Sequence, residues 1–593
     1  MHSKEEVFNL VYNFLKDEGV SVLIAPTSYG KTLFSPLILK AAKNDEIAYG
    51  LIHVVPYRAL VKDIYISKFS KYSNEFSIGY QCMDLIDFEN KTPFFLRELV
   101  VTTLDSYAWN VYGIPVAEFD KILRGVSKGH AYAVHTSIYT SINVFDEAHI
   151  FTGDVENGER GIFKMVLAIV NHLIELQSPV VIESATLPSN KLAEFSKKKK
   201  IKVVYVCKTS TCGNSRQRYN YANISNVEVV VVPDKEWYES NEFLWKMQIV
   251  DNSGAISYIT DNCSSKPILV IRNTIARAIE TYNTVKSKCE AVLIHGLMGS
   301  KEREKYIYEA RSIISKGRGV VIATQVIEAG VEVDALALVT DIAPIENIAQ
   351  RAGRLCRSDF RKQECQEEDV EVIVINSPRN DYVMYDEHSV KNAFEELISI
   401  LNHGKNIDWR LLEDRNGYIS FANVMELVYS NKVRYSEGLD NIALESVLKY
   451  DTFGDDMLML LSKLGLINSL YLVKMVVEEE YDNAIAIELQ RLIELEEKVE
   501  KRRNVSCIDY DKKKGVKIHV LTSNNRIFEI DAYLKACEKE KTCKEDFIDM
   551  LSRVYQKIYD ETMKKGTTVK DFFVVLRRSC YSNELGAFYN VFA

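Results

Sequence analysis

Ala25-Pro26-Thr27-Ser28-Tyr29-Gly30-Lys31-Thr32 directly follows the apolar run Val20 to Ala25 and precedes a helical pattern. A buried strand that runs into a Gly-Lys-Thr turn and then a helix is the context in which a phosphate loop forms. There the backbone amides of the turn and of the helix N-terminus cradle the β-phosphate of ATP, Lys31 reaches the β- and γ-phosphates, and the Thr32 hydroxyl ligates magnesium. Ala25 stands where the general pattern has glycine, so the loop needs support from elsewhere in the chain.

That support begins with the alternation around it. From residue 20 to about 375, short β-branched runs alternate with longer amphipathic stretches, the pattern of parallel sheets covered by helices. The runs include 52–55, 99–102, 142–145, 180–182 and 203–206, then 268–271, 291–294, 319–323, 336–340 and 370–375. A mixed polar segment at about 207–264 separates the two series. The expected fold is therefore α/β, with two RecA-like parallel-sheet lobes at 1–208 and 209–378 whose cleft is the natural ligand site. Beyond Ser377-Pro378 the chain turns to leucine- and glutamate-rich periodic segments, and Ile485 to Arg503 reads as one amphipathic helix, so a mostly helical C-terminal domain is expected over 379–593.

Composition sets limits on function. A chain of 593 residues exceeds a single core and implies roughly three or four domains. With 47% hydrophobic and 26% charged residues, no apolar run of membrane-spanning length and no signal-peptide pattern at Met1-His2-Ser3-Lys4, the expectation is a cytoplasmic protein without membrane association. The net charge of -9 argues against a protein that holds duplex DNA by bulk electrostatics, yet it suits a motor that must repeatedly release a phosphate backbone. Lys197 to Lys200, the main basic cluster, reads as a solvated loop. The 11 cysteines show no paired metal-ligand spacing, and buried reduced thiols are expected.

Three further segments carry chemistry. Asp146-Glu147-Ala148-His149 ends the strand Ile142 to Phe145. Asp146 is placed to hold magnesium through its water shell, and Glu147 to orient and deprotonate the attacking water. Val181 to Pro188 closes the next strand with Ser184 and Thr186, hydroxyls that would hydrogen-bond His149 and couple ATP state to lobe movement. In the second series, Gln350-Arg351-Ala352-Gly353-Arg354-Leu355-Cys356-Arg357 offers Arg354 and Arg357 as arginine fingers, and Arg351 with Gln350 as γ-phosphate sensors.

In this order and spacing the motifs resemble superfamily 2 helicases of the Asp-Glu-x-His type. The Val144 to Phe151 phrase, the Thr324 to Asp334 segment and the Gln350 to Arg357 block resemble the CRISPR-associated helicase of type I systems. The resemblance implies a motor that reels in, 3′ to 5′, a single-stranded DNA displaced by a guide-RNA surveillance complex, for degradation by a His-Asp nuclease. This sequence has no His-Asp dipeptide, and its phosphate loop starts at residue 25, which points to the split form with the nuclease on a separate polypeptide. Gly330, Glu332 and Asp334 are implied nucleotide contacts. Glu332 stands where many relatives have the Asp that contacts ribose, and Ser28 stands where Gly is common. The resemblance also assigns a strand-binding face to Arg58, to Thr102 and Thr103, to Arg272, Asn273 and Thr274, to His295 and Gly296, and to Thr324 and Gln325. These positions follow predicted strands and are chemically apt for gripping phosphates. Tyr107 and Trp109 are aromatics that either stack on bases or belong to the core, and core is the commoner fate. An RNA or DNA-repair helicase, and an ATP-binding nucleic-acid scaffold, remain as alternative readings.

Overall fold

The computed structural model describes the chain except for residues 1, 83–88, 125, 153–161, 186, 328–332, 383, 431–447, 449–471, 536–542 and 593. The strands of the first lobe are β1 (Val20–Ile24), β2 (Gly50–Val55), β3 (Ile78–Gln81), β4 (Leu99–Thr103), β5 (Ser141–Phe145), β6 (Val180–Ser184), β7 (Ile201–Cys207) and β8 (Val227–Pro233). They form one parallel sheet in the order β3-β4-β2-β5-β6-β1-β7-β8. β1 is buried at every position, as its unbroken apolar sequence requires when helices cover both faces. On one face Leu23, Val144 and Val181 pack under helices His2–Glu18 and Phe34–Asn44. On the other, Val22, Phe145 and Ile182 meet Tyr107 and Ile169 from helices Leu104–Val111 and Ile162–Glu175.

The second lobe contains β9 (Trp245–Val250), β10 (Pro267–Ile271), β11 (Ala291–Ile294), β12 (Gly319–Ala323), β13 (Ala337–Asp341) and β14 (Val370–Ile375). Their order is β11-β12-β10-β13-β14-β9, again all parallel. β8 pairs with β7 from Val227 to Pro233, so the first sheet continues past the expected boundary at 208. Lys197, Lys198 and Lys200 lie between a helix and β7 and pair with Glu194, Glu175 and Glu228.

The region after residue 378 is mixed rather than mostly helical. Helices Glu387–Asn402, Leu489–Arg503 and Cys543–Lys564 match the expectation, but a parallel pair, β15 (Asn406–Asp408) and β16 (Tyr418–Ser420), and a separate six-stranded sheet accompany them. That sheet holds β17 (Leu472–Val477), β18 (Glu480–Glu488), β19 (Tyr510–Asp511), β20 (Gly515–Thr522), β21 (Ile527–Leu534) and β22 (Val569–Leu576). Ile485 and Ile487 belong to β18, where their spacing of two turns both side chains inward, and the helix begins only at Leu489. Among the described residues no helix is long and apolar enough to cross a membrane.

The expectation of reduced thiols is corrected. Cys207–Cys212, Cys263–Cys289, Cys356–Cys365 and Cys507–Cys580 are disulfides, with Cα separations of 5.6, 5.8, 6.2 and 5.6 Å. The partners of the longer loops stand 26 and 73 residues apart. Closing the 73-residue loop restricts the unfolded chain by about 4 kcal/mol in the loop-entropy account. Accordingly, Cys507→Ser should destabilise the chain by ~2–4 kcal/mol and lower its thermal midpoint without reductant. The gap to wild type should close when both are melted in reductant; equal midpoints without reductant would mean that the crosslink contributes nothing.

Candidate nucleotide site and lobe interface

The phosphate loop leaves the carboxyl end of β1 in the interior of the first sheet. Ser28 and Gly30 both take positive φ, 65° and 100°, and at Gly30 a backbone of that kind favours glycine. Tyr29, fully buried between them, donates from its hydroxyl to Asp234 Oδ2 at 2.8 Å and packs edge-on against Trp237. The loop is thus anchored from beneath by the segment that follows β8. Lys31 folds back and donates to Ala25 O (3.2 Å) and Pro26 O (3.4 Å), and a short helical turn, Lys31–Leu33, leads into helix Phe34–Asn44.

Asp146 lies directly below. Its Oδ2 accepts from Thr32 Oγ1 at 3.1 Å and lies 3.2 Å from His53 Nε2, while its Oδ1 accepts from the Glu147 amide at 2.8 Å. His53 Nδ1 in turn meets Ser35 Oγ at 2.9 Å. Burial would push the Asp146 carboxyl up, but the His53 hydrogen bond and the charges of His53, Lys31 and Lys68 together hold it well below the usual carboxylate range. Glu147 has a positive φ of 54° and sits half-buried. His149 pairs through Nδ1 with Ser184 Oγ at 3.0 Å, and Ser184 O accepts from the Ala25 amide at 3.1 Å, which joins β5, β6 and the phosphate loop. Burial lowers the His149 pKa, partly opposed by Glu147, which favours the neutral ring. Thr186 lies outside the described residues.

The second lobe meets this loop directly. Helix Ile345–Ala352 ends beside it, and a Cβ on Gly353 would stand 3.6 Å from Thr27 Oγ1. Gln350 is in the last turn of that helix and the buried Arg354 follows Gly353 directly, while Arg357 is half-buried further on. Arg351 turns inward. Its guanidinium is fully buried and donates to Thr340 Oγ1, Asp341 O, Asn273 Oδ1 and the Tyr385 hydroxyl. Through these bonds it braces the interior of the second lobe. Asp334 accepts from the amides of Arg357 and Ser358 and so shapes the chain after the arginines. Gly330 and Glu332 fall outside the described residues.

The residue types fit a magnesium nucleotide. Thr27 Oγ1, Glu147 Oε2, Gln350 Oε1 and both oxygens of Glu183 are buried with no hydrogen-bond partner among the described residues. Such clustering of unsatisfied groups calls for an occupant, because buried polar atoms are otherwise paired. Oxygen donors from Thr32 and Asp146 suit a hard divalent cation, and Lys31 suits phosphate.

The expected strand-binding residues are distributed unevenly. Thr102 donates to Gln81 O, Thr103 caps helix Leu104–Val111, and both are buried. Arg272 is buried in an ion pair with Asp341 at 3.0 Å and also donates to Asn252 and Thr281, while the Asn273 amide donates to Asp341. His295 is covered by the C-terminal segment, with its Nε2 donating to Leu585 O at 3.1 Å. Gly586, at φ 75°, allows that approach, since a Cβ there would stand 2.7 Å from His295 Cε1. Thr274 caps helix Ile275–Val285. Thr324 is buried, whereas Arg58 and Gln325 are half-buried, Gln325 donating to the Tyr385 hydroxyl. A Cβ at Gly296 would meet open space. Tyr107 and Trp109 are core, and Tyr107 donates to Asn143 at 2.6 Å. His53, Tyr385 and Glu183 do not stand out by their sequence context. A lone histidine in an apolar strand is the one available signal for His53.

Residues 4–195 match the family model of the DEAD/DEAH box helicase, and residues 264–360 match the C-terminal part of the CRISPR-associated nuclease/helicase Cas3. A CRISPR-associated nuclease/helicase Cas3 of Methanothermobacter thermautotrophicus is 24% identical over 435 residues, 70% of this chain and 47% of that protein. A CRISPR-associated helicase Cas3 of Thermoproteus tenax is 27% identical over 355 residues, 58% of this chain and 54% of that one. The chain thus spans about half the length of these curated relatives. The ADP-bound crystal structure of T. fusca Cas3 shares the fold with a TM-score of 0.53 at 15% identity, covering 79% of this chain and 58% of that one. In order along the chain, residues 4–195 are similar to the DEAD/DEAH box helicase family and residues 264–360 to the C-terminal part of Cas3, and these curated relatives are CRISPR-associated Cas3 proteins.

Proposed function

We propose that the chain is an ATP-driven helicase that moves along single-stranded DNA, 3′ to 5′, in type I CRISPR interference. The observation that supports it most is the apposition of the phosphate loop in one lobe with the arginine-bearing helix end of the other, Thr27 against Gly353. In this reading the loop amides from Thr27 to Thr32 and the Lys31 ammonium hold the phosphates. Thr32 and Asp146 hold magnesium, which when bound neutralises charge on the transferring phosphoryl group. Glu147 orients and deprotonates the attacking water, Gln350 contacts the γ-phosphate or that water, and Arg354 and Arg357 stabilise the developing charge. Arg351 acts as a positioning residue that holds helix Ile345–Ala352 in place. His149 with Ser184 links the strand-end acids to the loop, and lobe closure follows the state of the nucleotide. The strand would run over Arg58, Gly296 and Gln325, whose side chains or open space remain at the carboxyl ends of the sheets.

The matches to Cas3 proteins support a CRISPR setting, and the partner set in this reading is a separate His-Asp nuclease and a guide-RNA surveillance complex. The test is the steady-state ATPase rate with magnesium, measured alone, with single-stranded DNA and with single-stranded RNA. Stimulation by DNA is expected; equal or better stimulation by RNA favours an RNA helicase, and no turnover under any condition favours a scaffold.

Lys31→Ala should abolish hydrolysis and weaken binding of a fluorescent ATP analogue. Glu147→Gln should abolish hydrolysis while leaving ATP bound and the protein clamped on its strand; near wild-type turnover in that variant refutes the role given to Glu147. His53→Ala removes the bond that orients Asp146, and hydrolysis should fall about tenfold or more at subsaturating magnesium. If its rate and magnesium dependence match wild type, His53 is only a packing residue.

A further inference from the structure

Glu183 has no part in the reading above, although it lies inside the same pocket. The β1 register sets it opposite Leu23, and the β5 register, with Phe145 opposite Ile182, brings it beside Asp146. Side chains alternate along a strand, so Glu183 shares a sheet face with Val181, as Asp146 does with Val144, and that face lies under helices His2–Glu18 and Phe34–Asn44. A row of polar groups therefore crosses three adjacent strands beneath the phosphate loop: His53 on β2, Asp146 at the end of β5, and Glu183 on β6. The first two are joined to each other, to Ser35 and to Thr32 by hydrogen bonds. The row of bonds stops there. Glu183 is 0% exposed, and neither of its oxygens has a hydrogen-bond partner among the described residues.

Packing does not account for a glutamate at this position. A buried carboxyl without partners is costly in either protonation state, and leucine or glutamine would serve the core better. Beside a second, ionised carboxylate the cost increases, unless something positive or proton-donating lies between the two. Magnesium takes oxygen ligands and keeps several of its waters, so carboxylates around it commonly act through those waters. We propose that Glu183 is a second acidic contact of the magnesium site, beside Asp146, accepting hydrogen bonds from the ion's water shell from the β6 side. The proposal rests on the reading of Thr32 and Asp146 as the magnesium-holding pair.

The experiment titrates Mg2+ against mant-ADP binding to the full chain, with an EDTA reference, in wild type, Glu183→Gln, Glu183→Met and Asp146→Asn. Each variant is first compared with wild type by circular dichroism and thermal melting. Half-saturating Mg2+ should rise about tenfold in both Glu183 variants, while mant-ADP affinity in EDTA stays within twofold of wild type. If Asp146→Asn shifts the Mg2+ dependence and neither folded Glu183 variant does, the role of Glu183 is overturned and the site reading survives. A higher melting point for Glu183→Met with unchanged Mg2+ dependence overturns that role as well and marks Glu183 as a misfit of packing. If Asp146→Asn is also without effect, the reading of the magnesium site fails and this proposal fails with it.

Discussion

Asp146 keeps its negative charge in the interior of the first lobe, and the surroundings of the phosphate loop are built to hold it there. Burial alone would protonate the group, since an isolated carboxylate loses far more in solvation than the protein interior returns. The His53 bond and the nearby Lys31 and Lys68 charges reverse that balance. The same contacts are mechanical. Thr32 and Ser35 both stand just beyond the loop, one bound to Asp146 and the other to His53, so the helix start is fastened to β5 and β2 at once. With Tyr29 anchored to Asp234 on the far side, the loop has little freedom to collapse when no phosphate fills it. A site whose dipoles are already placed does not reorganise during reaction, and most electrostatic catalysis derives from that property.

The interface between the lobes is tied from behind as well as through the pocket. Helix Phe421–Ser430, from the C-terminal region, lies across both. Its Glu426, almost fully buried, accepts from the Ser189 amide at 2.8 Å and from Asn220 at 2.7 Å, just past the Ser184 segment of the first lobe. Near the end of the same helix, Tyr429 donates to Glu346 at 2.8 Å, on the second-lobe helix that leads to the arginines. Arg410 adds a second brace by donating to the carbonyls of Leu355 and Cys356, and the Cys356–Cys365 disulfide ties that stretch to helix Asp359–Glu367. The arginine segment is consequently held by its backbone at Leu355 and Cys356 as well as by the buried Arg351 side chain.

What could be read from the sequence was local. The Gly-Lys-Thr turn, the Asp146-Glu147 strand end and the parallel sheets each express themselves within a few residues, the sheets because strands covered on both faces are continuously apolar. Side-chain direction at the strand ends could not be read that way. Arg272 and Asn273 look apt for phosphate, yet Asp341, 69 and 68 residues on, claims both. His295 is claimed by Leu585, 290 residues away, and His53 by Asp146, 93 away. The C-terminal sheet escaped for a different reason: β18 carries Ile485 and Ile487 near its end and runs directly into a true amphipathic helix at Leu489, so the two periods blur into one apparent helix.

The C-terminal region is shared unequally between the lobes, and that bears on how the lobes can move. The segment ending at Ser430 is bound to the first lobe through the buried Glu426 and to the second through the buried Arg410, whereas Tyr581 reaches the second lobe alone by accepting from the Gly299 amide and donating to Glu302, which also accepts from Asn483. Helix Cys543–Lys564 touches the first lobe through ring contacts, Tyr555 against Phe119 and Arg124 over Tyr559, and Tyr559 is 40% exposed. Breaking a buried hydrogen-bond network leaves polar atoms unpaired, while sliding one ring over another at the surface leaves none. Surface ring contacts therefore yield at less cost than the buried bonds that Glu426 makes to the first lobe and that Arg410 and Tyr581 make to the second.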